Sequence, residues 1–406
     1  MNTIHSVGII RETKVPPDRR VPLTPHQTLL FEKLYPQAKV YVQPSEIRGF
    51  RDDEFQKLRL NLKEALGHCD LLMGIKEVDY QVFIPGKIYM FFAHVGKKQS
   101  YNRKMLQEIM RKKITLIDYE YLTDSAGKRI IAFGRWAGIV GAYNGLRAMG
   151  LRNGSLPLKP AHQCQGKNEL FAELKKMKPG PVKILVTGGG RTASGAVETL
   201  HALNLPKVTP TSFLENKFDH PVYTRLDPQD YVKHKQGKPF DLAHFFSHPQ
   251  QYISTFQPYQ KVTDLFIACH YWDPRSPYFI TSRDMRSSGF RISLIADVSC
   301  DINGPIASTL RTSTIEDPFY DYNPNTEKEE SPFSNPGNVT VMAVDNLPGA
   351  LPREASQDFG NTLLDEIFPS LMGRDDQSII ERATITRAGA LTRRFKYLQD
   401  FANGME

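Results

Sequence analysis

The sequence predicts an α/β protein of two Rossmann-like, doubly wound parallel-sheet domains with an interdomain cleft. Strand-like apolar runs alternate with amphipathic helical runs from the start, and the alternation restarts near residue 183 with a glycine-rich turn. The 406 residues suffice for two cores, given domains of roughly 150 residues.

The elements follow in order. VGII, KVYVQP, DLLMGIKE, IYMFFAH and ITLIDYE read as strands, while PHQTLLFEKLY, EFQKLRLNLKEAL and SYNRKMLQEIMRKK between them read as helices. Such βαβ order implies a mostly parallel sheet flanked by helices, placed in a first domain of residues 1–135. Trp136 to Arg152, rich in small residues, reads as one buried helix that bridges the domains. VKILVTGGGRTASGAVETLHAL then opens a second domain, residues 136–347, in which KVTPTSF, TDLFIACHYW, ISLIADVS and VTVMAVDNLP are the expected strands. The polar stretch 323–337 reads as a surface loop. Residues 348–406 look helical and are expected to return to the first domain.

Composition narrows the function classes. Hydrophobic residues make up 40% and charged residues 24%, and no run approaches the ~18 apolar residues of a membrane span. The N-terminal apolar run is too short for a signal peptide. Cys69, Cys164, Cys269 and Cys300 lie far apart, with neither CxxC nor zinc-ligand spacing, so the sequence points to the reducing cytoplasm and to no metal. A formal charge of 52 − 44 = +8 favours anionic partners. Without a dense basic run or an RNA-binding motif, these are small molecules, with neither nucleic acid nor membrane expected.

Two strands deliver proton-transfer residues at their C-terminal ends: Lys76 after LLMGI and His94 after IYMFFA. Open parallel sheets bind ligands at that edge, and if the two strands are neighbours, ammonium and imidazole lower each other's proton affinity. Arg20 and Arg129 precede apolar strands or turns, where a guanidinium clamps a carboxylate or remains an ordinary surface charge. Asp118 and Glu120, two apart, share a face if the strand continues through them. In the second domain Gly188, Gly189 and Gly190 turn the strand ILVT into a helix carrying Ser194 and Gly195, which suits a pyrophosphate at a helix N-terminus. KVTPTSF ends in no carboxylate for an adenosine ribose, and Lys207 or Arg191 offers a charge for a 2′-phosphate, so NAD and NADP both stay open. Asp297 ends the strand LIAD, where it either orients a ligand or caps the next turn.

The succession RETKVPPDRRVPLTP, GIKE, FFAH, LIDYEYL, AFGRWAGIVGAYNGLRAMGLR, the glycine turn, HPQQYIS, YWDPRSP, IADVSCDINGPI, STIEDPF and DNLPGALPREAS resembles the lysine-ketoglutarate reductase (saccharopine-forming) family over nearly the whole chain. That family belongs with fungal saccharopine dehydrogenase, alanine dehydrogenase and the transhydrogenase alpha subunit. The resemblance implies reversible joining of lysine and 2-oxoglutarate to saccharopine with NAD(P)H. It assigns Lys76 and His94 as the catalytic pair, and Arg20, Glu120, Arg129 and Phe133 to the substrate. Gly188, Gly190, Ser194, Gly195, Asp297, Asn346 and Leu347 fall to the cofactor. The turn GGGRTASG departs from the GGGVVG type of alanine dehydrogenase and so argues against the pyruvate branch. An alanine dehydrogenase-like enzyme and a non-catalytic NAD(P)-binding protein remain the alternatives. Homo-oligomerisation and a separate saccharopine-oxidising partner stay open.

Overall fold

Residues 4–154 and 157–405 are described by a computed structural model, in which the chain divides into two units: Met1–Phe133 with Pro352–Glu406, and Gly134–Leu351. The sequence places these boundaries a few residues away, at 135/136 and 347/348.

The first unit is built on an eight-stranded sheet. Its order is Ala390–Leu391, Thr384–Arg387, Thr115–Asp118, Ile88–Phe91, Leu71–Met73, Ser6–Ile9, Lys39–Val42, Asn61–Leu62. The six strands from Asn61–Leu62 to Thr115–Asp118 are parallel. Val7, Ile9, Leu71, Leu72, Met90, Phe91, Leu116 and Ile117 are fully buried, which explains why these strands read as continuous apolar runs rather than alternating ones. The chain reverses direction across the sheet between Ser6–Ile9 and Leu71–Met73, so residues just beyond those two ends lie at the switch point where such sheets bind ligands. The helix Pro25–Leu34 begins cleanly because Thr24 and Gln27 form a capping box and Pro25 occupies its first position.

Two expectations for this unit change. EFQKLRLNLKEAL is helical only within Asp52–Lys57; Arg59 adopts φ 57°, and Asn61–Leu62 joins the sheet edge. The C-terminal segment is only partly helical. The β-branched run Thr384, Ile385, Thr386 pairs antiparallel with Thr115–Asp118, and Ala388 (φ 46°) and Gly389 (φ 82°) form the tight hairpin turn into Ala390–Leu391.

The second unit carries a seven-stranded sheet ordered Lys328–Glu330, Phe319–Asn323, Val339–Met342, Leu294–Asp297, Leu265–Ala268, Lys183–Thr187, Val222–Leu226, with the five strands from Val339–Met342 to Val222–Leu226 parallel. Part of the expected surface loop 323–337 is a strand: Lys328–Glu330 pairs back on Phe319–Asn323. The helix Gly134–Arg152 is an integral layer of this unit rather than a bridge. It lies directly on the helix Arg191–Ala202, and a Cβ on Gly138 would collide with the Thr192 carbonyl, one on Gly195 with the Arg135 carbonyl. KVTPTSF is not a strand either. Thr209 caps the helix Pro210–Glu215, whose first residue is the conformationally preset Pro210, and the strand that follows in the sheet is Val222–Leu226.

Candidate active site

In the first unit the strands ending near Lys76 and His94 are parallel neighbours, and the ladder continues past their ends with Phe92 N–H donating to the Ile75 carbonyl at 3.0 Å. Lys76 is held by its backbone: Glu12 accepts from the N–H groups of Ile75 at 2.5 Å and Lys76 at 2.9 Å. Burial lowers the proton affinity of the Lys76 ammonium, the charges of Arg20 and Lys14 lower it further, and Asp18 and Glu77 oppose them. Glu12 is pushed up to about 8, by withdrawal of its carboxylate from water and then by Asp18.

His94 has φ 53°, and its Nδ1–H donates to Glu77 Oε1 at 2.6 Å. Lys14 Nζ donates to the other oxygen of Glu77 at 2.7 Å. Burial alone would raise the Glu77 carboxyl; the bonds and charges of His94 and Lys14 prevail and hold it down at about 2. A carboxylate that stays ionised fixes the imidazole tautomer and leaves Nε2 as the proton-exchanging nitrogen.

The candidate substrate residues already carry partners. Arg20, buried, clasps the buried Asp18 carboxylate with Nε to Oδ1 at 2.9 Å and Nη2 to Oδ2 at 2.5 Å. Its guanidinium lies 4.1 Å from the centre of the Phe133 ring, which stacks on Phe359 at 4.5 Å. Although burial opposes it, Arg20 keeps Asp18 far below the usual carboxylate range. Arg129 Nη2 donates to Glu120 Oε1 at 2.8 Å, and Lys97 lies 3.7 Å from the same oxygen. Asp118 and Glu120 do not share a strand face, because the strand ends at Asp118. Fully buried, Asp118 caps the turn Tyr119–Tyr121 by accepting from Glu120 N at 2.8 Å. Asp118 is raised to about 7, chiefly by burial.

In the second unit Gly188 (φ 102°) closes the strand-to-helix turn, where a Cβ would lie 2.6 Å from the Cys269 carbonyl oxygen, and Gly190 caps the helix with open space around it. Arg191 and Ser194 are exposed on the first turns of that helix. Glycine-only backbone followed by a twelve-residue helix N-terminus fits a dinucleotide pyrophosphate. Gly195 serves helix packing. Asp297 is fully buried and accepts from Ser299 Oγ at 2.6 Å, Cys300 N at 3.0 Å and Thr309 Oγ1 at 2.7 Å, which is the turn-capping arrangement. Asn346 precedes the turn Leu347–Ala350, and Leu347 is buried against Gly141.

Sequence reasoning missed two carboxylates. Glu77 follows Lys76 directly, but its pairing with His94 depends on strand neighbourhood. Asp227 ends the strand Val222–Leu226, which is the position of a ribose-binding acid; a Cβ on Gly189 would lie 2.8 Å from its Oδ1, and Arg225 Nη2 donates to its Oδ2 at 2.8 Å. The absence of an acid inferred from KVTPTSF is thereby corrected. Among the described residues no cluster suits a metal ion, and no helix is long and apolar enough to cross a membrane.

Residues 8–140 match the family model "Alanine dehydrogenase/PNT, N-terminal domain". The alpha-aminoadipic semialdehyde synthase of Arabidopsis thaliana is 29% identical over 97% of this chain and 41% of its own length. The saccharopine dehydrogenase (NAD(+), L-lysine-forming) of Neurospora crassa is 28% identical over 88% of both chains. The chain is a homologue of these enzymes. It spans less than half the length of the synthase relatives, which include a mitochondrial one from Rattus norvegicus at 29% identity and 47% coverage. Among solved structures, an L-alanine dehydrogenase aligns with a TM-score of 0.63 and 15% identity, covering 99% of this chain and 100% of that one. A transhydrogenase from Sinorhizobium meliloti aligns at 0.61 and 13%, covering 96% and 100%. These likenesses show the alanine dehydrogenase-like α/β fold.

Proposed function

We propose that this chain is an NAD-dependent oxidoreductase that reversibly joins L-lysine and 2-oxoglutarate to saccharopine. The observation that carries the proposal is the pairing, at adjoining strand ends, of an amine with lowered proton affinity (Lys76) and an imidazole oriented by an ionised carboxylate (His94 on Glu77). Attack of the lysine ε-amine on the ketone needs a base for the ammonium proton, and loss of water to the imine needs an acid on the departing oxygen. A neutral Lys76 amine suits the first task and a protonated His94 Nε2 the second, and the roles exchange in reverse. Bound nicotinamide supplies the hydride that reduces the imine carbon. Arg20 and Arg129 hold substrate carboxylates, exchanging or sharing their present acidic partners. The relatives' names, with their saccharopine and L-lysine, support the lysine side of this reaction, and Asp227 supports NAD over NADP, since its carboxylate accepts from a ribose 2′-hydroxyl and repels a 2′-phosphate.

Absorbance at 340 nm tests the proposal in paired cuvettes. NADH should be consumed with lysine plus 2-oxoglutarate and left intact with ammonia plus pyruvate. Consumption only in the second pair would move the chain to alanine dehydrogenase chemistry.

A further inference from the structure

The backbone that carries His94 needs outside support. His94 (φ 53°) and Lys98 (φ 55°) both lie in the left-handed region, on either side of the turn Val95–Lys97. Side-chain-bearing residues are disfavoured there and persist only where the surroundings impose them. Two hydroxyls of the same unit do so. Tyr397 Oη donates to the Gly96 carbonyl at 3.1 Å. Tyr121 Oη packs so tightly on the same glycine that a Cβ there would collide with it, and Tyr397 Oη would lie 3.2 Å from that Cβ.

Both are anchored apart from the turn. The Tyr121 ring packs edge-on against buried Phe395 at 4.8 Å, and Tyr397 belongs to the turn Arg393–Leu398, fixed in the core by Phe395 and Leu398. Glu77 sets the rotation of the His94 ring; nothing about that bond sets the backbone beneath it.

We propose that Tyr121 and Tyr397 form a hydroxyl clasp on Gly96 that positions His94 for proton transfer. The proposal rests on the acid/base reading of His94, and both tyrosines are positioning residues. Removing one hydroxyl lets the turn relax, so that the imidazole moves away from Glu77 and loses the hydrogen bond that orients its ring.

The test uses the full chain with Tyr397→Phe and Tyr121→Phe, each of which deletes one hydroxyl and keeps the ring. Three quantities are read: kcat and KM with lysine, 2-oxoglutarate and NADH; the melting temperature; and the NMR signal of the His94 Nδ1–H proton, which its hydrogen bond to Glu77 carries downfield, assigned with His94→Gln. Both variants should lose about tenfold in kcat, keep the KM for NADH, melt as the parent does, and move the Nδ1–H signal upfield as that bond lengthens. A kcat loss that only follows a lower melting temperature, with the Nδ1–H signal unmoved, would overturn the clasp. So would parent-like rates and an unmoved signal in both variants. If the parent chain turns over neither substrate pair yet Tyr397→Phe moves the Nδ1–H signal, the clasp stands and the reaction assigned above falls.

Discussion

The two units place their candidate ligand groups beyond strand ends by different means. In the first, side chains dominate and several are held by carboxylates: Arg20 by Asp18, His94 and Lys14 by Glu77, Arg129 and Lys97 by Glu120. In the second, backbone dominates: a glycine at φ 102°, a helix N-terminus and one carboxylate, Asp227. The contrast fits the two tasks. Moving protons at changing charge calls for tunable groups held by counter-charges, whereas a constant pyrophosphate calls for fixed N–H dipoles that do not titrate. The first unit should therefore respond to single side-chain changes and to pH at its rim, the second to changes in shape and to pH only through its interior.

The largest effect sharpens the first half of that comparison. Lys76→Met or His94→Gln should lower kcat by about 10² or more while NADH binding, followed by its fluorescence, stays near the parent value. Parent-like turnover in both would strip the pair of its role.

Next is the buried pair. Arg20→Ala strands the Asp18 carboxylate in the core and should cost about 3 kcal/mol of stability, whereas adding Asp18→Asn should recover much of the loss. Urea unfolding of the single and double variants decides it, and equal losses in both would mean that the charge pairing is not what holds this corner.

The second unit has its own interior titration. Buried His270 bonds Thr187 Oγ1 through Nδ1 at 2.7 Å, and burial pulls it down to about 3. Its folded value lies below the unfolded ~6.5, so the unfolded chain takes the proton first and stability is lost as pH falls from ~6.5 toward 3. That amounts to about 2 kcal/mol at pH 5. His270→Gln should flatten the decline in denaturation midpoints between pH 7 and 5; an unchanged slope would assign it elsewhere.

A smaller effect probes Asp227. Asp227→Thr should move the NADH-to-NADPH ratio of kcat/KM by about tenfold toward NADPH, removing the repulsion that a 2′-phosphate meets. No shift in that ratio would return the choice of cofactor to other residues.

Much of this architecture was legible in the sequence because buried parallel strands are continuous apolar runs and the Gly188–Gly190 turn follows one of them. KVTPTSF misled because Val208, Thr209 and Thr211 favour strands by side-chain type, yet Thr209 before Pro210 is also a helix start. Choosing the strand hid Val222–Leu226, and with it Asp227. Glu77 stayed hidden for another reason: its bond to His94 joins residues on neighbouring strands, and lateral order follows from tertiary packing, which a local pattern does not encode. Asp18 stands two residues from Arg20, but only burial of both turns that spacing into a bidentate pair.

The central claim is best tested on the product itself. The chain is incubated with lysine, 2-oxoglutarate and NADH carrying deuterium at the transferable position, and the product is weighed by mass spectrometry. The account predicts a condensate with all the carbons of both substrates, less one water and plus a deuteride and a proton, with the deuterium at the former ketone carbon. Deuterium-labelled glutamate, or no deuterium transfer to any product of lysine, would contradict it.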